Sequence, residues 1–339
     1  VTPTGGVPAD VSGATVTSIR HAYSSLGGAV SDLSVVLGSP DLVANNYAVD
    51  IPCYFDTGPD VTNVVLAGLT SDATRRIRIY TPIDTARECN RSQRHAGVWD
   101  DSKYNLQVGD VTGISIRTTS VTIEGLQIWS TTGTITSDRF AIELRLSSGV
   151  VDVAVASNIL RGTAHTGGNW LQAYTDYTSA GTASGRARFW NNVVYDYSGA
   201  QTVGFEQGAA PIAHTFYNNT VVNCDQGFRN IGGAGPLVKN NVAQGCTDGF
   251  WGTAAFAAGS DHNISDLAAD APGPASQNNT TVQFVDLAAR DLHLAGGDTA
   301  AIDMGLNLAA DTTLSFADDV DSDTRPQGGA WDIGADEAP

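Results

Sequence analysis

The chain has 339 residues, 42% hydrophobic and only 16% charged, with 37 glycines, which excludes a disordered polymer and favours turn-rich β architecture over a helix bundle. The formal net charge is −18, and of the 18 basic residues only Lys103 and Lys239 are lysines. Such a surface repels phosphate backbones and anionic headgroups, so neither nucleic acid nor a membrane is an expected partner, and no apolar run reaches the ~18 residues of a membrane span.

In chain order, residues 1–13 are Pro/Gly-rich and read as extended. From about 14 to 37, Ile19, Ala22, Tyr23, Leu26, Val30 and Leu33 recur at helical steps, interrupted by Gly27 and Gly28, which predicts an N-terminal capping helix. Strand-like runs follow at Val61 to Leu66 and Arg76 to Tyr80. Next comes a polar insertion, Thr85 to Lys103, with Arg87, Cys89, Arg91, Arg94, His95 and Trp99. It is either a ligand loop or a cap loop tied down by a Cys53–Cys89 disulfide.

From Ile114 onward the chain repeats. Asn218 to Phe228 and Asn240 to Phe250 align without a gap at an offset of 22 residues, sharing both Asn, a Cys, a Gly and a Phe. That period is too short for a helical hairpin repeat and fits one turn of a β-solenoid. The body is therefore expected as one elongated unit: a cap with first irregular coils over 1–110, regular coils over 111–265, and last coils with a closing tail over 266–339. Anchoring on Gly125, Asn158, Asn192, Asn219, Asn241 and Asn263 gives steps of 33, 34, 27, 22 and 22, so the extra residues, at Thr163 to Gly185 and Tyr197 to Thr202, should gather on one side. The Asn residues are expected to hold the αL corner of each coil while their amides bond from coil to coil. Stacking in register would bring Cys224 and Cys246 about 4.8 Å apart, within disulfide range; the alternative is a pair of stacked free thiols. An even cysteine count with no zinc spacing fits an oxidising, extracellular compartment.

The Asn ladder, runs such as Val121 to Ile128 and the helix-first layout resemble right-handed parallel β-helix proteins of the pectate-lyase-like superfamily. The tail resembles the C-terminal segment of many secreted bacterial β-helix proteins, with Asp291-Leu292-His293-Leu294, Asp319 to Pro326 and Trp331 to Glu337. The resemblance implies an all-β, single-stranded right-handed parallel β-helix whose tail closes the last coils. It leaves the reaction open, because the superfamily holds lyases, hydrolases, esterases, phage tailspikes and adhesins. Lyases of this fold need a Lys or Arg base with carboxylate-bound calcium, and lysine is almost absent here. Polygalacturonase-like hydrolases carry a Gly-His-Gly motif that this chain lacks.

One column breaks the repeat. Aligning the Gly-Phe pairs puts Glu206, Arg229 and Trp251 at one outward position of adjacent coils, either as a sugar-binding groove or as a plain surface ion pair beside a Trp. A second set, His165, Trp170, Tyr174, Asp176 and Tyr177 with Trp190, Tyr195 and Tyr197, has the composition of carbohydrate contact or of loop packing. For an enzyme the catalytic candidates are Glu206, Arg229 and Asp176, and the ligand contacts Trp170, Tyr174, Tyr177 and Trp251. Asp319, Asp321 and Asp323 alternate as in calcium loops but lack the Gly and Glu of an EF-hand; pairing of Asp321 or Asp323 with Arg325 is the alternative. No cofactor is expected apart from such a calcium ion. The leading expectation is a non-catalytic extracellular structural or adhesive β-helix (cell surface, fibre or virion) that contacts a polysaccharide or self-associates. The alternative is a polysaccharide lyase or glycoside hydrolase.

Overall fold

The computed structural model describes residues 22–178, 182–233 and 235–339. Three parallel sheets of seven strands each form the body. The chain visits them in a fixed cycle: Asn105–Val108 in the second sheet, Ile114–Ile116 in the third, Ser120–Glu124 in the first, then Gln127–Ser130 beside Asn105–Val108. This is a right-handed parallel β-helix, as expected. Earlier strands already join it, Val49–Pro52 pairing in register with Ile77–Tyr80 and Val64–Leu66 with Ile114–Ile116. Among the described residues no helix is long and apolar enough to cross a membrane.

The N-terminal cap departs from the single helix expected over about 14–37. The first part of that range lies outside the described residues. Within them are three short helices, Leu26–Ser31, Leu33–Val36 and Leu42–Asn45. Leu26, Val30, Leu33 and Leu42 join the core at the open end of the first coil.

The corner between the first and second sheets explains the paired asparagines, and it divides two tasks that the sequence assigned to one residue. The αL position is Gly125, Ser157, Asn191, Asn218, Asn240 and His262 in successive coils, with φ between 48° and 71°. The residue after it makes the ladder: Nδ2 of Asn158, Asn192, Asn219 and Asn241 donates to Oδ1 of Asn192, Asn219, Asn241 and Asn263 at 2.9–3.1 Å. Gly125 therefore belongs to the αL column, and the residue in the ladder register there is Leu126, whose N–H donates to Asn158 Oδ1 at 2.9 Å. Gly125 is required for a second reason: a Cβ there would sit 1.9 Å from Arg94 Nε.

Extra residues do collect at the corner between the second and third sheets, at 131–138, 162–170 and 196–201. The stretch Thr163 to Gly185 is more than insertion, since it includes the whole strand Leu171–Asp176 and the start of Thr182–Trp190.

The tail also does more than close the last coils. It folds back along the outer face of the second sheet, where Leu292, Val320 and Ala335 pack on Ile159, Val193, Tyr195 and Val222. Outward amides of the αL column pin it: Asn191 Nδ2 to Asp318 O, Asn218 Nδ2 to Asp332 O and Gly334 O, and Asn240 Nδ2 to Leu306 O, all at 2.8–2.9 Å. Arg325, fully enclosed, pairs with Glu337 at 2.7 Å and donates to the Asp318, Gly334 and Ala335 carbonyls. The expected pairing of Arg325 with Asp321 or Asp323 is replaced by this one.

All four cysteines are free thiols, so the Cys53–Cys89 and Cys224–Cys246 bridges are not formed. In-register neighbours of a parallel sheet project in parallel about 4.8 Å apart, whereas a disulfide needs its Cβ atoms converging to roughly 3.5–4.5 Å. Cys224 and Cys246 are stacked, buried thiols. Cys53 is buried in the first-coil core, and Cys89 lies 3.6 Å from the Pro82 and Asp84 carbonyls.

Candidate functional site

The third sheet carries the candidate site on its outer face. Its last strands repeat Gly-Phe, and the glycine is dictated by the next coil: a Cβ at Gly204 would lie 2.6 Å from the Gly227 carbonyl, and one at Gly227 2.5 Å from the Gly249 carbonyl. The aromatic that follows turns inward, where Phe205, Phe228 and Phe250 stack with centroids 5.6 and 4.9 Å apart. The next residue turns outward. Glu206, Arg229 and Trp251 are in register, as the alignment predicted, and the column continues backwards through Thr175, Glu143 and Ser115.

Glu206 is 4% exposed. Its Oε1 accepts from Thr175 Oγ1 at 2.7 Å, and its Oε2 from Gln172 Nε2 at 3.0 Å and from Arg229 Nη1. The Arg229 guanidinium lies 4.1 Å from the Trp170 ring and 5.0 Å from that of Trp251, in cation–π range of both indoles. Trp170 arrives from the 162–170 loop, its N–H held by Asp138 Oδ1 at 2.9 Å. Both indoles remain half-buried.

Two strands away a second carboxylate is held in the same manner. Glu143, 3% exposed, accepts from Ser115 Oγ at 2.6 Å and pairs with Arg145 at 3.3 Å. Arg145 is exposed and lies 5.1 Å from the ring of Tyr177, itself 50% exposed. Arg117, also exposed, donates from Nε to Ser115 Oγ at 3.0 Å. In each unit a buried carboxylate anchors an arginine, and the arginine lies against an aromatic that reaches solvent. That arrangement offers ring faces and guanidinium edges to a ligand, and both acids are buried and paired with an arginine.

Of the expected site residues the structure brings Glu206, Arg229, Trp251 and Trp170 together, with Tyr177 on the same face just past the end of the adjacent strand Leu171–Asp176. Tyr174 and Asp176 are elsewhere. Tyr174 is fully buried in the interior, 4.2 Å from the Phe189 ring, and Asp176 is enclosed beside His214. Both occupy inward positions of the strand, so neither faces a ligand on this face. The remaining aromatics disperse: His165 binds the Gly133 carbonyl, Trp190 packs on Phe316, Tyr195 lies under the tail and Tyr197 bonds Ser130. Glu143, Ser115, Arg145 and Gln172 were missed. Their partners stand 28 and 31 residues apart for Ser115–Glu143 and Thr175–Glu206, against 23 for Glu206–Arg229, so no single period reaches them.

The insertion Thr85 to Lys103 is folded down as a cap. Arg94 binds Glu124 at 2.8 Å and Thr81 at 3.0 Å, while buried His95 lies 2.9 Å from the Ser157 carbonyl. In the tail, two sets of side chains could hold a cation, His293 with Asp321 and Asp336, and Asp319 with Asp321 and Asp323. Asp319 is already bonded to the N–H groups of Asp321, Asp323 and Glu337. Asp321 lies 3.5 Å from His293, whose pKa is raised to about 9 chiefly by that carboxylate.

In comparisons with known proteins the chain matches no family, no curated protein and no solved structure. What defines its class is its own strand order, that of a parallel β-helix.

Proposed function

We propose that this chain is a non-catalytic, extracellular β-helix whose third-sheet face contacts a polysaccharide. The observation that carries the reading is the state of the two carboxylates. Glu143 and Glu206 are 3% and 4% exposed and consumed in anchoring arginines, while Trp170, Trp251, Tyr177 and Arg145 keep surface for a sugar chain. Indole faces on sugar rings, with guanidinium donors beside them, are a common means of carbohydrate binding. Placement of the chain in the pectate-lyase-like superfamily, and location on a cell surface, fibre or virion, rest on the Asn ladder and the tail described above. The test is binding of acidic and neutral oligosaccharides followed by tryptophan fluorescence, alongside assays for reducing ends and unsaturated products. Saturable binding without turnover, weakened at least ~10-fold in Trp170→Ala/Trp251→Ala, is expected; turnover abolished by Glu206→Gln would overturn the reading.

One observation favours the enzymatic alternative. Glu143 and Glu206 share one face two strands apart, which at strand spacing is about 9.6 Å and close to the upper end of carboxyl separations in inverting glycosidases. Such a hydrolase would need both acids freed from Arg145 and Arg229 on binding substrate.

A further inference from the structure

A second arginine is held between indoles, on the outer face of the second sheet. Arg161 ends the strand Ile159–Arg161, in register with Trp129 on one side and Tyr195 on the other. Its guanidinium lies 4.0 Å from the Trp129 ring and 5.7 Å from that of Trp99, in cation–π range of both. The two indoles meet edge to face with centroids 6.2 Å apart, and so form a corner around it. Trp129 is fixed by its own N–H, which donates to the Gly162 carbonyl at 3.2 Å and to Thr163 Oγ1 at 3.1 Å. Trp99 arrives from the insertion Thr85 to Lys103 and packs at the margin of the patch that the tail covers. All three side chains remain half-buried.

This unit differs from that of Arg229 in one part. Arg229 has the Glu206 carboxylate, whereas among the described residues the Arg161 guanidinium makes no ion pair and no hydrogen bond. The carboxylates that stand near are taken. Asp101 accepts the Trp99 indole N–H at 2.7 Å, and Asp196, which follows Tyr195, pairs with Arg290 at 2.5 Å and accepts from Asn223 at 2.7 Å. Indoles cover the flat faces of a guanidinium but accept nothing from its N–H edges. Arg161 has therefore given up water on its faces and gained no acceptor at its edges.

We propose that Arg161, in the corner of Trp99 and Trp129, is a second ligand site that takes the carboxylate of a small organic acid or acidic sugar, where Arg229 has its own Glu206. A planar carboxylate matches the fork of N–H donors along a guanidinium edge. A monoanion also balances the single charge, whereas a dianion such as sulfate would bring excess negative charge near Asp101 and Asp196. The site does not depend on the third-sheet reading, which uses other residues on another face.

The test titrates the full chain at constant ionic strength with sodium acetate, sodium glucuronate, glucose and sodium sulfate. Heteronuclear NMR follows the indole N–H signals, and Trp99→Phe and Trp129→Phe assign two of the six. Both signals are expected to shift saturably with either carboxylate below about 100 mM. Tighter binding of glucuronate would mark an acidic sugar, and equal binding a simple organic acid. Arg161→Gln should weaken the response at least ~10-fold, and Arg161→Lys, which keeps the charge without the fork, should weaken it less. The comparison of ligands on the unaltered chain does not depend on how a variant folds. Signals that stay still with both carboxylates, that move as far with glucose, that respond more tightly to sulfate, or that respond equally in Arg161→Gln would overturn the site and leave Arg161 a stacking residue with its edges in water.

Discussion

The outer faces of the second and third sheets are built from the same coils and reach opposite ends. On the second sheet the outward columns include the apolar Ile159, Val193, Tyr195 and Val222, and the tail covers these with Leu292, Val320 and Ala335. On the third sheet the outward column is Ser115, Glu143, Thr175, Glu206, Arg229 and Trp251, and the chain's own side chains are its cover. An apolar face costs free energy until something lies on it. A face of carboxylates neutralised by arginines is stable as it stands and stays open to a ligand. The difference is clearest at the two kinds of arginine: Arg325 is enclosed as the tail's fastening, whereas Arg145 is half exposed over Glu143.

The largest test of this contrast is Arg325→Ala. It would leave Glu337 buried without its cation and remove one of the two donors at each of three carbonyls. Breaking a buried pair on one side costs about 3–5 kcal/mol, and urea unfolding should show that loss together with early exposure of Trp331, which packs near the arginine. A variant as stable as the parent chain would mean that the tail is an ornament and the covered face needs no cover.

A smaller effect comes from pH, through the tail's crowded acids. His293, raised to about 9 by Asp321, contributes stability that is complete below its unfolded value of about 6.5 and is lost as pH rises through 9. Asp332, raised to about 6 by burial, and Asp319, raised by burial and then by Asp321, act in the same direction. Each favours folding below the ordinary carboxylate range and loses that contribution as pH climbs through its raised value. Asp321, lowered chiefly by its bond to His293, contributes above the carboxylate range and loses that only in strong acid. Buried His95, lowered to about 3, and His214, also lowered by burial, oppose this trend only up to the unfolded histidine value of about 6.5. The thermal midpoint should therefore fall from about pH 7 to pH 9, and His293→Gln should flatten that part of the curve. A midpoint that rose over that interval would contradict the tail electrostatics.

The uniform part of the solenoid was legible because it obeys one period. The 22-residue step from Asn219 to Asn241 to Asn263 fixes corner, inward Phe and outward column at once for Arg229 and Trp251, and the Gly-Phe pair at 204–205 extends the alignment to Glu206. Where coils are longer, register depends on where the extra residues leave the sheet, and composition alone grouped Tyr174 and Asp176 with the exposed aromatics although the strand Leu171–Asp176 turns both inward. The double asparagines were visible as a repeat, but their division of labour was not. The outward amide of Asn218 finds Asp332 and Gly334 more than a hundred residues away, and nothing local announces that partner. The cysteines misled for a related reason: equal spacing along the chain establishes stacking but not the convergence of Cβ atoms that a disulfide demands.

The smallest expected effect on stability carries the most about function. In Arg145→Ala, Glu143 keeps its Ser115 hydroxyl, and the lost pair involves a guanidinium that is 52% exposed, so the change should stay below about 1 kcal/mol. If the third-sheet face is a binding surface, the same substitution should weaken oligosaccharide binding severalfold, because it removes donors beside Tyr177 and leaves the fold untouched. On the covered face an arginine is worth stability; on the open face it should be worth affinity. A substitution that cost several kcal/mol without altering binding would show that Arg145 fastens the coils just as Arg325 fastens the tail, and the two faces would no longer differ in kind.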